Sequence, residues 1–98
     1  MSTIEVVQQI CYESMDEINE LLSHDKKLLK APSTIISGKS SPLDSLLLLN
    51  LIVSIEEKLK QESLSTNSLI EFMALSQEKE LSIQMLTEFI LKSGESNA

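Results

Sequence analysis

One stretch of this chain constrains its fold more than any other, because it repeats apolar residues with the spacing of an α-helix. The repeating residues are Leu48, Leu51, Ile52, Ile55 and Leu59. Steps of three and four positions place them on one face, as in a helix that packs against a core. Asp44 precedes this stripe and is a residue type that caps helices by accepting a backbone hydrogen bond. The sequence therefore predicts an α-helix from Ser45 to Gln61.

A second side of this predicted helix is also largely apolar. Its residues are Leu46, Leu47, Leu49, Asn50 and Val53, followed further along by Glu56 and Glu57. A group of exposed apolar residues commonly marks a contact surface. We therefore predict that these residues form a surface that binds a protein partner. Glu56 and Glu57 are the acidic residues of this surface.

Ser45 is the first residue of the predicted helix, and its hydroxyl is expected to stand in solvent. The first turn of a helix has unpaired N–H groups and the positive end of the helix dipole. A phosphate attached to the hydroxyl suits that environment. Serine is also common at helix starts for structural reasons alone, so position by itself does not assign a function to Ser45.

The wider pattern resembles the acyl carrier protein family. In that family an Asp-Ser-Leu motif opens the second helix, and here it reads Asp44-Ser45-Leu46. The residues Leu51-Ile52-x-x-Ile55-Glu56-Glu57-x-Leu59 resemble the remainder of that helix. The segment that runs from Ser82 to Ile90 resembles the last helix, and the length of 98 residues also agrees.

The resemblance implies a small all-α four-helix bundle with a long first loop and a short third helix. It also implies that Ser45, flanked by Asp44 and Leu46, carries a covalent 4′-phosphopantetheine taken from coenzyme A by a phosphopantetheinyl transferase. The thiol of this group would hold acyl intermediates as thioesters for acyl-loading, acyl-transferring and condensing enzymes. An aminoacyl or peptidyl carrier, and an unmodified helical interaction module, are the alternatives.

Two departures from the family pattern bear on partner choice. Pro42 stands where the family usually has glycine, and proline fixes its own φ and restricts the residue before it. Leu47 and Asn50 stand where typical fatty-acid carriers have acidic residues. We therefore expect a specialised carrier of lipid or secondary-metabolite biosynthesis that docks through apolar contacts, rather than a housekeeping fatty-acid carrier.

The rest of the chain predicts three more helices and no strands. The first starts with Ser2 and Glu5 in capping-box spacing, has an apolar stripe that includes Cys11 and Leu21, and ends near residues 23–25. A long connection to Leu43 follows, and we expect four apolar residues to pin it to the bundle: Leu28, Leu29, Ile35 and Ile36. A short third helix is predicted over residues 68–75. The fourth begins at Ser82 and is expected to bury Ile83, Leu86, Phe89 and Ile90.

Composition favours one domain over residues 1–98, with residues 94–98 as a flexible tail. Fifteen acidic residues against eight basic ones give a net charge of −7, which argues against nucleic-acid binding. The apolar run from Leu46 to Val53 is interrupted at Asn50 and is too short to cross a membrane, and the first residues do not have the pattern expected of a signal peptide. We expect a cytoplasmic protein that is a monomer, or self-associates weakly.

The sequence offers no pattern typical of an enzyme. It has neither a glycine-rich phosphate loop nor a histidine paired with a cysteine or serine in a recognised spacing. His24 is read as a helix-end residue and Cys11 as a small buried apolar residue. A metal site and a catalytic role are therefore not expected.

Overall fold

The computed structural model describes residues 3–39, 41–62, 69, 72, 74 and 79–96. These contain three α-helices: α1 (Thr3–Asn19), α2 (Ser45–Gln61) and α3 (Ile83–Ser96). They also contain a 3-10 turn at His24–Lys26 and two short strands, β1 (Ile35–Ser37) and β2 (Leu81–Ser82). The prediction of a mostly helical protein is confirmed. The prediction of no strands is wrong, and a four-helix count is not confirmed, because most of residues 68–75 lies outside the described residues.

The core is built from one stripe on each helix and is mainly aliphatic. All five residues of the predicted α2 stripe are buried, as the spacing required. From α1 the core receives Val7, Ile10, Cys11, Met15 and Ile18, and from α3 it receives Ile83, Leu86 and Ile90. The Cα radius of gyration is 12.6 Å, close to the value of about 13 Å expected for a compact domain of 100 residues.

α1 ends at Asn19, several residues before the predicted end, because Asn19 turns its side chain to the following connection. Its Nδ2 donates to the carbonyl of Leu28 at 3.0 Å, and its Oδ1 accepts from the Leu28 N–H at 2.7 Å. Lys27 Nζ donates to the Asn19 carbonyl at 2.7 Å, which satisfies one acceptor that the helix end leaves open. Leu21, placed on the buried stripe by its spacing, is exposed instead.

The connection between α1 and α2 is attached to the start of α3. β1 pairs with β2 in antiparallel orientation, with Ile35 opposite Ser82 and Ser37 opposite Leu81. The N–H groups of Ile83 and Gln84 donate to the carbonyls of Thr34 at 2.9 Å and Pro32 at 2.8 Å. The connection therefore supplies acceptors to the first turn of α3, whose N–H groups have none within the helix.

Burial along the connection agrees with prediction except at one residue. Leu28 and Ile36 are buried and Ile35 is half-buried, whereas Leu29 is 77% exposed. Leu29 therefore does not attach the connection to the bundle. Backbone hydrogen bonds therefore help to hold the connection in place, in addition to the apolar side chains that the sequence predicts.

α3 starts one residue after the predicted Ser82, whose Oγ accepts from the Met85 N–H at 3.2 Å. Phe89, predicted to be buried, is only half-buried. The helical backbone continues to Ser96, so it enters residues 94–98, for which the sequence predicts a flexible tail. Flexibility of residues 94–98 stays a prediction.

A polar contact joins α1 to α2 beside the core. Lys58 Nζ and Ser54 Oγ donate to the two carboxylate oxygens of Glu17, at 2.6 Å and 2.7 Å. The hydrogen bonds from Lys58 and Ser54 hold the pKa of Glu17 below its ordinary value. The contact is exposed to water on the Glu17 side, so we expect it to orient the helices more than to stabilise them.

The buried stripe generates a paired stability prediction. Leu48→Ala should lower the free energy of unfolding by about 2–5 kcal/mol, because it leaves a cavity in the core. The same change at the exposed Leu46 should stay within about 0.5 kcal/mol of the wild type. Urea denaturation followed by circular dichroism measures both, and equal losses would show that the two faces of α2 are wrongly assigned.

Candidate functional site

Ser45 begins α2, and the residue before it caps the helix as predicted. Asp44 has an extended backbone, with φ −81° and ψ 179°, and its side chain accepts from the Leu47 N–H. That hydrogen bond measures 2.8 Å, and the Asp44 carbonyl accepts from the Leu48 N–H at 2.9 Å. The two bonds account for the third and fourth N–H groups of the helix, which fixes Ser45 as its first residue.

The environment of Ser45 is open and suited to an anion. Ser45 is exposed, and helix geometry gives its own N–H and that of Leu46 no acceptor within α2. These groups form the positive end of the helix dipole. The first turn of α2 contains no acidic residue, and the Asp44 carboxylate next to it is engaged by Leu47. A phosphate ester on the Ser45 hydroxyl would lie beside these two N–H groups.

The chain before Ser45 is anchored in the core. Leu43 is 9% exposed and Leu48 5% exposed, and their positions before and after the cap are those of a hydrophobic staple. The Leu43 N–H donates to Ser41 Oγ at 3.1 Å. Ser45 is consequently held between a buried residue that precedes the cap and the buried stripe that follows it.

The second apolar side of α2 is exposed for most of its length. Leu46 is 66% exposed, Leu49 40% and Val53 45%, and Asn50 between them is exposed too. We call these four residues the outer face. Glu57 extends it further along the helix and is also exposed.

Two of the predicted partner-binding residues have contacts inside the protein. Leu47 is half-buried and packs against the core, because its position lies between the buried stripe and the outer face. Glu56 is half-buried, and its Oε1 accepts from the Leu69 N–H at 3.0 Å. Glu56 therefore fixes the chain at Leu69. The binding of partners by the remaining predicted residues stays a prediction.

Cys11 is a buried core residue, as predicted from its place on the α1 stripe. Its exposed fraction is 0%. Burial raises the pKa of its thiol to about 11, although a hydrogen bond with Thr87 acts in the opposite direction. The thiol is protonated and inaccessible at neutral pH, which excludes it as a nucleophile in the folded protein.

The raised pKa of Cys11 generates a prediction for alkaline pH. The folded-state value lies above the ordinary value of 9.0, so the contribution of the protonated thiol to stability is complete below about pH 9 and is lost as pH rises towards 11. The free energy of unfolding of the wild type should fall more steeply across this interval than that of Cys11→Ala. The two proteins differ only at residue 11, so parallel pH profiles from urea denaturation would contradict the account.

An open hollow of about 480 Å³ lies beside α3. Within the part of the chain that the structure describes, it is lined by Phe72, Leu81, Met85, Glu88, Phe89, Leu91 and Lys92. The rings of Phe72 and Phe89 are 5.6 Å apart between centroids and tilted by 59°, a separation at which aromatic rings attract each other. Phe89 lines this hollow, which agrees with its being only half-buried.

The described residues contain no group of three or more histidine, cysteine, aspartate or glutamate side chains placed to hold a metal ion. His24 is exposed in the 3-10 turn and not at the end of α1. Within the part of the chain that the structure describes, no helix combines the length and apolar character needed to span a membrane.

Comparison with protein-family models, with curated proteins and with solved structures found no match to this chain.

Proposed function

We propose that this protein is an acyl carrier protein whose Ser45 hydroxyl bears 4′-phosphopantetheine. The observation that carries the proposal is an exposed serine at the first position of a capped helix, in the sequence Asp44-Ser45-Leu46. The protein is then not an enzyme but a substrate of several. A phosphopantetheinyl transferase loads it, and acyl-loading, acyl-transferring and condensing enzymes use the thioester on the arm.

The chemistry at Ser45 requires access, an environment for the phosphate and a stable base. Access follows from the exposure of Ser45. The N–H groups of Ser45 and Leu46 and the dipole of α2 favour the phosphodiester that attachment creates. The helix is capped and its inner stripe is buried, so it holds the attachment point still while the flexible arm moves. Presentation of the cargo then needs no change in the fold.

Partner enzymes are proposed to dock on the outer face. Leu46, Leu49 and Val53 present apolar surface directly after the attachment point. Docking there would bring the partner's active site close to the base of the arm. A complementary apolar surface on the partner suits this face.

The attachment site can be tested by one substitution. The wild type, incubated with coenzyme A and a broad-specificity phosphopantetheinyl transferase, should gain the mass of one phosphopantetheine. Ser45→Ala should gain none and should unfold at about the same temperature, because alanine is a good helix former and the hydroxyl faces water. Intact-protein mass spectrometry and thermal denaturation measure the two properties.

Ser23→Ala is the matched control, because it removes another exposed hydroxyl, one that donates to Asp25. It should load like the wild type. Loading that persists in Ser45→Ala, or that maps to Ser40 or Ser41, would refute the assignment of Ser45.

The proposed docking surface generates a prediction about affinity. Leu49→Asp or Val53→Asp should weaken association with the cognate acyl-loading enzyme by about tenfold or more, since a charge would be buried without a partner. Affinity should depend only mildly on salt, because screening acts mainly on exposed charge pairs. Leu47 is unsuitable for this test because it packs against the core.

Gln9→Asp is the control for these substitutions, as it adds the same charge at an exposed position of α1. It should leave the affinity unchanged in a calorimetric titration. A steep loss of affinity with salt, together with indifference to Leu49→Asp and Val53→Asp, would mean that Glu57 and other carboxylates carry recognition instead.

The exposed apolar outer face also favours a second candidate, an unmodified interaction module that docks a partner helix or a second copy. This candidate needs the outer face but not Ser45. A wild type that takes up no phosphopantetheine while an otherwise proven carrier in the same mixture is loaded would favour it. The aminoacyl or peptidyl carrier stays an alternative for the cargo, and it shares the same attachment chemistry.

A further inference from the structure

Two hydrogen bonds at Ser41 restrain the backbone in front of Ser45. The Ser41 N–H donates to the Gly38 carbonyl at 3.1 Å, and the Leu43 N–H donates to Ser41 Oγ at 3.1 Å. Pro42 lies between them and has no N–H of its own. We call residues 38–39 and 41–43 the elbow. Ser41 takes part in both hydrogen bonds, once through its backbone and once through its side chain.

The elbow is attached to the rest of the protein at both ends. Gly38 has a φ of +110°, and a Cβ at this position would lie 2.5 Å from Cγ of Glu80. Glycine is therefore needed both for the backbone conformation and for the close approach to Glu80. At the other end Leu43 is buried in the core, and Asp44 then caps α2. The elbow thus connects the region of β2 with the helix that carries Ser45.

We propose that Ser41 is a positioning residue for the modification of Ser45 and that it acts through its hydroxyl. This inference rests on the proposed function. A modifying enzyme must fit the chain on both sides of the reacting hydroxyl, so the conformation of the elbow decides how Ser45 is presented. In Ser41→Ala the Leu43 N–H loses its acceptor. The elbow backbone can then adopt further conformations, in which the modifying enzyme meets a different surface next to Ser45.

The expected effect is on KM rather than on kcat. If only a fraction of the molecules has the competent elbow, the apparent affinity for the modifying enzyme falls by that fraction. Molecules that have docked correctly react as the wild type does. The loss of one hydrogen bond of this kind predicts a rise in KM of about three- to tenfold, with kcat unchanged.

Steady-state kinetics with the full chain as the varied substrate, a broad-specificity phosphopantetheinyl transferase and coenzyme A test this inference. Ser41→Ala should raise KM, whereas Ser41→Thr keeps the hydroxyl and should stay within about twofold of the wild type. Ser23→Ala removes a hydroxyl from the same connection and should have no effect. Circular dichroism and thermal denaturation establish that each variant is folded at the assay temperature.

The possible results separate this inference from the proposal on which it rests. No loading of the wild type overturns the proposed function and the inference together. Loading of the wild type with the same KM for Ser41→Ala overturns only the inference, as does an equal rise in KM for Ser23→Ala. If Ser41→Ala is unfolded at the assay temperature, Gly38→Ala decides instead, because it disturbs the same elbow and leaves Ser41 in place. A large rise in KM for a folded Gly38→Ala variant, with Ser41→Thr close to the wild type, supports the inference. A Gly38→Ala variant that is folded and has the wild-type KM overturns it.

Discussion

Burial of one stripe of α2 is the constraint on which the rest of the structure depends. A helix is rigid about its axis, so placing Leu51, Ile52 and Ile55 in the core fixes the rotation of all seventeen residues. Leu46, Leu49 and Val53 then have to face outward. The start of the same helix is fixed by Asp44, which leaves Ser45 in solvent at the positive end of the dipole. An accessible Ser45 hydroxyl and an apolar surface beside it follow from the same packing.

The long connection between α1 and α2 contributes to this arrangement through hydrogen bonds. Asn19 holds Leu28 by both backbone groups, and the carbonyls of Pro32 and Thr34 cap α3. Each interaction satisfies groups that a helix end or a loop would otherwise leave without partners. A segment with little regular structure is thereby held against two helices, and the elbow in front of Ser45 begins from a fixed position.

The sequence predicted those features that many residues encode together. The bounds of α2, its buried stripe and the Asp44 cap follow from seventeen residues of consistent spacing and one capping residue. The β1–β2 pair was missed because strands of three and two residues are too short for alternation to be visible. Leu47 and Glu56 were placed wholly on the outside because periodicity separates two faces but not the border between them. The bonding of Glu56 to Leu69 depends on where the next segment passes, and no local pattern encodes that.

The central claim is that the Ser45 hydroxyl carries the prosthetic group, and fragmentation mass spectrometry tests it most directly. The wild-type protein would be incubated with coenzyme A and a broad-specificity transferase, with a proven carrier in the same tube, and then digested. The account predicts that the only modified peptide contains Ser45 and releases the pantetheine fragment on activation. An unmodified Ser45 peptide beside a fully loaded control carrier would contradict it.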